Sequence, residues 1–139
     1  MGVTRGSPGM VQRGPVSDSQ KRDFYAGIDA FALPSRTDSF GLVLLEAWAN
    51  TKPVVAYRAG GPADLVRDGA DGWLVACGNL EELGERLKQL AGDAEMRLRF
   101  GGAGSARIPV EFAWEPNLKL VRDAFFVGHG RVCETRRAT

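Results

Sequence analysis

The sequence predicts an α/β fold in which a parallel sheet is flanked by helices. Three short apolar runs carry that reading: AFALP (residues 30–34), PVVA (53–56) and WLV (73–75). Each is too brief for a helix and suits a buried strand. The stretches between them carry helix start and stop signals, and strands alternating with helices imply right-handed crossovers and a parallel sheet whose ligands bind at the carboxyl ends of the strands.

The elements follow in order. Residues 1–9 are Gly-rich without periodicity and read as a disordered start. MVQRGPV (10–16) predicts a short edge strand ended by Pro15. Ser17, Asp18 and Ser19 offer N-caps for a helix to about Gly27, with Tyr25 and Ile28 facing inward. Asp29 leads into the AFALP strand, closed by Pro34. A helix is expected from Leu42 to about Ala49, then the Pro53–Ala56 strand. Gly60, Gly61 and Pro62 end the next loop, ADLV opens a short helix, and Gly69 to Gly72 turn the chain into Trp73–Val75. Asn79 with Glu82 resembles a capping pair for a helix whose Leu80, Leu83, Leu87 and Leu90 predict a core face, stopped by Gly92. Another short helix runs from Asp93 to about Phe100, where Gly101, Gly102 and Gly104 are expected to break it. A last helix is expected over 114–127, with Pro116 tolerable in its first turn. Residues 128–139 read as a mobile tail.

Composition narrows the function classes. With 139 residues, 44% hydrophobic and 25% charged, the chain reads as one soluble globular domain. Eighteen Lys and Arg against 17 Asp and Glu leave a net charge of +1, which argues against a nucleic-acid partner. The two cysteines, Cys77 and Cys133, are far apart and read as reduced. The single histidine, His129, is flanked by glycines in the tail, so neither a metal cluster nor a catalytic triad can be assembled locally. No apolar run approaches the roughly 20 residues needed to cross a bilayer, and the N-terminus lacks an apolar leader, so the expected location is cytoplasmic.

The most informative stretch is LPSRTDSFGLVLLEAWANTKPVVAYRAGG (33–61). Asp38 stands in a loop eight positions before Glu46, with SFGLVLL between them. Small residues here end a strand and open a helix, and a helix start presents unpaired N–H groups and a positive dipole end to a phosphate. Glu46 falls about 7.5 Å farther along that helix at about 1.5 Å per residue. An acid at the mouth and another down the flank suit a phosphate centre with hydroxyl-bearing groups on both sides, as in a nucleotide-sugar. The bland alternative is an Asp that only caps the helix and a Glu paired with a nearby Lys or Arg.

This stretch resembles the retaining GT-B glycosyltransferases, the group that includes sucrose and glycogen synthases, whose motif reads PS-x-x-E-x-FGLV-x-LEAMA-x-G-x-PVVA-x-x-x-GG. The chain follows it from Pro34 through Gly61. It departs at Asp38, where the family has Glu, and at residues 50–52, where the family usually has a Gly. The likeness extends upstream to about Met10 and downstream through GADGWLV to near Trp114, but not to the family's first half. The resemblance implies a partial GT-B C-terminal domain over residues 10–127, with a Rossmann-like sheet. It implies a nucleotide-diphosphate sugar as donor substrate, without metal or other cofactor. Asp38 would contact hydroxyls of the transferred sugar. Ser39 and the amides of Phe40, Gly41, Leu42 and Val43 would approach the sugar and diphosphate, Glu46 would grip the ribose, and Gly60 and Gly61 would line the nucleotide face. Asp38, a methylene shorter than Glu, would reach less far or favour another sugar.

Arg36 and Arg58 lie in carboxyl-edge loops where either could meet a phosphate, and Trp48, Trp73 and Trp114 read as core or domain contacts. No catalytic residue is identifiable. The resemblance further implies a fragment or one piece of a split enzyme, inactive alone, with an open apolar side on the AFALP strand that invites an N-terminal domain or a second copy. The alternatives are a non-catalytic nucleotide-sugar-binding or interaction module, and a GT-B-like nucleotide-sugar epimerase fragment.

Overall fold

The computed structural model describes residues 9–113 and 115. The expectations for residues 1–8 and the tail, and for the helix over 114–127 apart from Glu115, which is helical, lie outside the described residues. Eight elements follow one another: α1 (Asp18–Gly27), β1 (Phe31–Leu33), α2 (Leu42–Ala49), β2 (Val54–Tyr57), α3 (Gly60–Leu65), β3 (Gly72–Val75), α4 (Leu80–Gly92) and α5 (Ala94–Glu111). The strands form one parallel sheet in the order β1-β2-β3, with Phe31 opposite Val54 and Val54 opposite Gly72.

Local chemistry accounts for the helix starts. Ser17 and Gln20 satisfy each other's amides at the start of α1, at 3.3 and 2.9 Å. Asn79 accepts from the Glu82 amide at 3.0 Å and Asp93 from the Met96 amide at 2.8 Å, each occupying a donor that has no partner inside its helix. Strand alternation then divides the core. Val54 and Ala56 point into a cluster with Tyr25, Leu44, Ala47, Trp48 and Leu65, while Val55 and Tyr57 point into one with Val75, Leu83, Leu90 and Phe100. Helices α1, α2 and α3 thus cover one face of the sheet, and α4 with the first half of α5 covers the other.

Four expectations are corrected. The edge strand over 10–16 does not form. Only Val11 has bridge geometry, and Met10 and Val11 are 58% and 69% exposed, so no apolar face draws this segment into the sheet. Gly60, Gly61 and Pro62 do not end a loop but are the first half of α3. Leu80, expected in the core, is 71% exposed, because at the first position of α4 it points away from the sheet that Leu83 and Leu90 reach. The glycines at 101, 102 and 104 do not break the chain, since α5 runs through them and through Pro109. In addition, AFALP is only partly buried, because β1 is an edge strand with β2 as its single neighbour among the described residues.

The continuation of α5 has a packing cause. A Cβ on Gly104 would lie 2.2 Å from Trp48 Cδ1, and one on Gly101 would lie 2.0 Å from the Thr51 carbonyl oxygen. The absence of side chains lets α5 lie directly on α2, and burial of the whole Trp48 side chain offsets the weak helix propensity of glycine, about 1 kcal/mol per residue. The contact is pinned by polar groups. Trp48 Nε1 donates to the Asp71 carbonyl at 3.0 Å. The carboxylate of Asp71, 1% exposed, accepts from the Arg67 amide at 2.8 Å and from the guanidinium of Arg107. Arg107 also donates to the Leu65 carbonyl at 3.0 Å and to Glu111 at 2.9 Å. Burial opposes the charge on Arg107, but hydrogen bonds with Glu111 and Asp71 outweigh it and raise its pKa. The hydrogen bond from Arg107 holds Glu111 below its ordinary value.

Candidate functional site

The loop between β1 and α2 is shaped by main-chain contacts. Asp38 Oδ1 accepts from the amides of Phe40, at 3.0 Å, and Gly41, at 2.5 Å, closing a tight turn. Gly41 then takes φ +83°, a conformation open to glycine, and serves as N-cap of α2 without a capping side chain. Leu42 and Val43 follow as the first residues of the helix, where amides have no partner within the helix. Among the described residues Asp38 Oδ2 makes no hydrogen bond.

The turn after β2 fits this loop backbone to backbone. Gly61 N donates to the Asp38 carbonyl at 3.0 Å. A Cβ on Gly60, which has φ +55°, would lie 2.3 Å from that same carbonyl oxygen, and one on Gly61 would lie 2.4 Å from Phe40 Cα. Gly60 and Gly61 therefore sit against Asp38, Ser39 and Phe40 at the carboxyl edge of the sheet, as the strand order requires.

Glu46 lies on the flank of α2 with its side chain 37% exposed, outside the apolar interior. Its Oε1 accepts from Lys21 Nζ at 2.8 Å and its Oε2 from the Tyr25 hydroxyl at 3.0 Å. The Tyr25 hydroxyl lies 3.3 Å from the Val43 carbonyl as well. Burial first, and then the hydrogen bond to Glu46, raises the pKa of Tyr25 well above its ordinary value, so the phenol remains a donor. The hydrogen bond and charge of Glu46 likewise raise the pKa of Lys21. All three side chains border a cavity of about 760 Å³ whose wall also includes Val16, Phe31 and Val43.

The structure thus brings Asp38, Ser39, Phe40, Gly41, Leu42, Val43, Gly60 and Gly61 to one edge, with Glu46 on the flank of the same helix. Both parts of the bland reading are present too: Asp38 caps the turn, and Glu46 pairs with a lysine. A ligand reaching the amides of Phe40 and Gly41 would have to displace Asp38 Oδ1, whereas among the described residues no side chain caps the amides of Leu42 and Val43.

Arg58, whose side chain is 54% exposed, is tied to Asp68 at 2.6 Å and to the Leu74 carbonyl at 3.2 Å, so its guanidinium is engaged within the chain. Arg36 reaches toward Gly78 in the β3–α4 loop. Trp48 is fully buried, and Trp73 is partly buried beneath the Arg86 guanidinium, 4.2 Å from the ring centroid. Sequence reasoning missed Lys21 entirely and saw Tyr25 only as a core residue. Their spacing of four places them on one helix face, but only the packing of α1 on α2 brings that face to Glu46. Among the described residues no group of three or more His, Cys, Asp and Glu could hold a metal ion, and no helix is long and apolar enough to cross a membrane.

Comparison with known proteins gives the family. The family described as glycosyl transferases group 1 matches residues 12–107. The lipopolysaccharide core biosynthesis glycosyltransferase LpsE of Rhizobium meliloti is 34% identical over 94 residues, which cover 68% of this chain and 28% of LpsE. The D-inositol 3-phosphate glycosyltransferase 2 of Catenulispora acidiphila is 36% identical over 113 residues, covering 80% of this chain and 26% of that enzyme. Among solved structures, Anabaena HepE in complex with UDP matches with a TM-score of 0.70 and 27% identity, over 75% of this chain and 29% of HepE. The C-terminal domain of a group 1 glycosyl transferase, LpcC of Francisella tularensis, matches with a TM-score of 0.66 and 25% identity, over 73% of this chain and 53% of that domain. The chain spans a little over a quarter of the length of these curated relatives. By sequence and by its parallel α/β architecture, the chain belongs to the group 1 glycosyl transferases of GT-B fold.

Proposed function

We propose that this chain supplies the donor site for retaining glycosyl transfer, binding a nucleotide-diphosphate sugar at the start of α2. The observation that carries the reading is the series of groups along α2: at its start the amides of Leu42 and Val43 without a capping side chain and an Asp38 Oδ2 without a hydrogen bond among the described residues, and on its flank the partly exposed carboxylate of Glu46. The diphosphate meets the amides and the positive end of the helix dipole. Asp38 Oδ2 accepts from a sugar hydroxyl while Oδ1 keeps the turn closed, and Glu46 accepts from the ribose diol. Ser39, Phe40 and Gly41 shape the sugar side, and Gly60 and Gly61 back the loop and border the nucleotide. No metal is called for, because backbone donors face the phosphate charge. HepE, a neighbour in structure, has been solved with UDP and with UDP-glucose, which supports this ligand class.

Transfer itself needs an acceptor-bearing N-terminal domain, in the same polypeptide or a partner, or a second copy of this chain against the outer edge of β1. The cysteine usage supports a cytoplasmic setting. Binding without turnover is the second reading. The family match favours a transferase over the epimerase.

Titration calorimetry of the chain with UDP and UDP-glucose tests the donor site. Glu46→Ala is expected to weaken binding about tenfold or more, the scale of a charged hydrogen-bond pair. No heat from any nucleotide-sugar with the wild-type chain would remove the proposal.

A further inference from the structure

We infer that Lys21 and Tyr25 are positioning residues that fix the Glu46 carboxylate for reading a ribose diol, so that α1 sets the discrimination between ribose and deoxyribose. The inference rests on the donor-site reading above and adds residues from a different element to it.

The geometry is specific. Each oxygen of Glu46 accepts one hydrogen bond from α1, Oε1 from Lys21 at 2.8 Å and Oε2 from Tyr25 at 3.0 Å. A carboxylate has about four acceptor positions, so one remains on each oxygen. Two vicinal hydroxyls need such a pair. An unsupported glutamate on a helix flank would sample several rotamers and lose conformational entropy on each capture. Here the anchors differ in kind. Tyr25 is buried, is packed against Phe31 with ring centroids 5.7 Å apart, and also reaches the Val43 carbonyl, which makes it the rigid post. Lys21 is 42% exposed and supplies a charge that keeps Glu46 turned toward α1. All three border the same cavity, which Val16, Phe31 and Val43 line with apolar surface and Arg13, Gln20 and Asp23 with polar groups. A nucleoside, with one flat apolar face and one diol, has the chemistry this wall would take.

The test compares UDP with its 2′,3′-dideoxy analogue by titration calorimetry on the full chain. The wild-type chain is expected to prefer UDP by about tenfold or more. Tyr25→Phe keeps the ring and removes the hydroxyl, and Lys21→Met removes the charge. Each should bring the preference to about threefold or less while leaving affinity for the dideoxy analogue within about twofold, and Lys21→Arg should restore it. Lys21 is exposed, so its variants fold regardless of the fate of Tyr25→Phe. If both Lys21→Met and a folded Tyr25→Phe retain the full preference, the positioning role is overturned. A wild-type chain that binds both nucleotides equally overturns the diol reading alone, whereas one that binds neither overturns the donor site and this inference with it.

Discussion

Two pairs of glycines hold α2 from opposite ends, and they work by different physics. Gly60 and Gly61 face its start, where a positive φ and main-chain proximity to Asp38, Ser39 and Phe40 leave no room for a side chain. Gly101 and Gly104 face its far end from inside α5, where the backbone is ordinary helix and only the approach to Thr51 and Trp48 excludes a Cβ. The first pair fixes the shape of a loop. The second fixes the distance between two helices. Substitution at the back should therefore unfold the protein, and substitution at the front should disarm it.

The largest expected effect is at the back. Gly104→Leu must displace Trp48 from a filled core, and overpacking of that kind is expected to cost about 3 kcal/mol or more, read as a lower urea midpoint. A midpoint within error of wild type would show that α5 does not rest on α2. Next comes the front. Gly61→Ala would push its Cβ into Phe40, and donor binding in calorimetry is expected to fall about tenfold while stability drops by only about 1–2 kcal/mol. Equal losses in both measurements would erase the distinction between the two pairs. The smallest effect sharpens it: a Cβ on Gly102 meets nothing within 4 Å, so Gly102→Ala should raise stability by up to about 1 kcal/mol, seen as a higher urea midpoint.

These pairs also mark what the sequence could and could not disclose. The strands, the bounds of α2 and the caps of α1 and α4 follow from local rules, as Ser17 with Gln20 and Asn79 with Glu82 illustrate. The reach of α5 does not. Read locally, three glycines in four residues terminate a helix, and the reason they do not is a tryptophan more than fifty residues earlier. Asp71 and Arg107, 36 residues apart, carry no local sign that they form a buried ion pair. The loop with Asp38 and Glu46 was legible as a unit because its elements are contiguous in sequence. The partners of Glu46 were not, because Lys21 and Tyr25 arrive from another helix, 25 and 21 residues away.

The seam between the Asp38 loop and Gly61 is made almost entirely of main-chain atoms. A surface framed in that way tolerates drift: Arg36, Thr37 and Ser39 can be exchanged without deforming the frame that presents them. Such a scaffold separates two jobs that share one loop: the outward side chains are at liberty to vary, and the seam alone holds the shape.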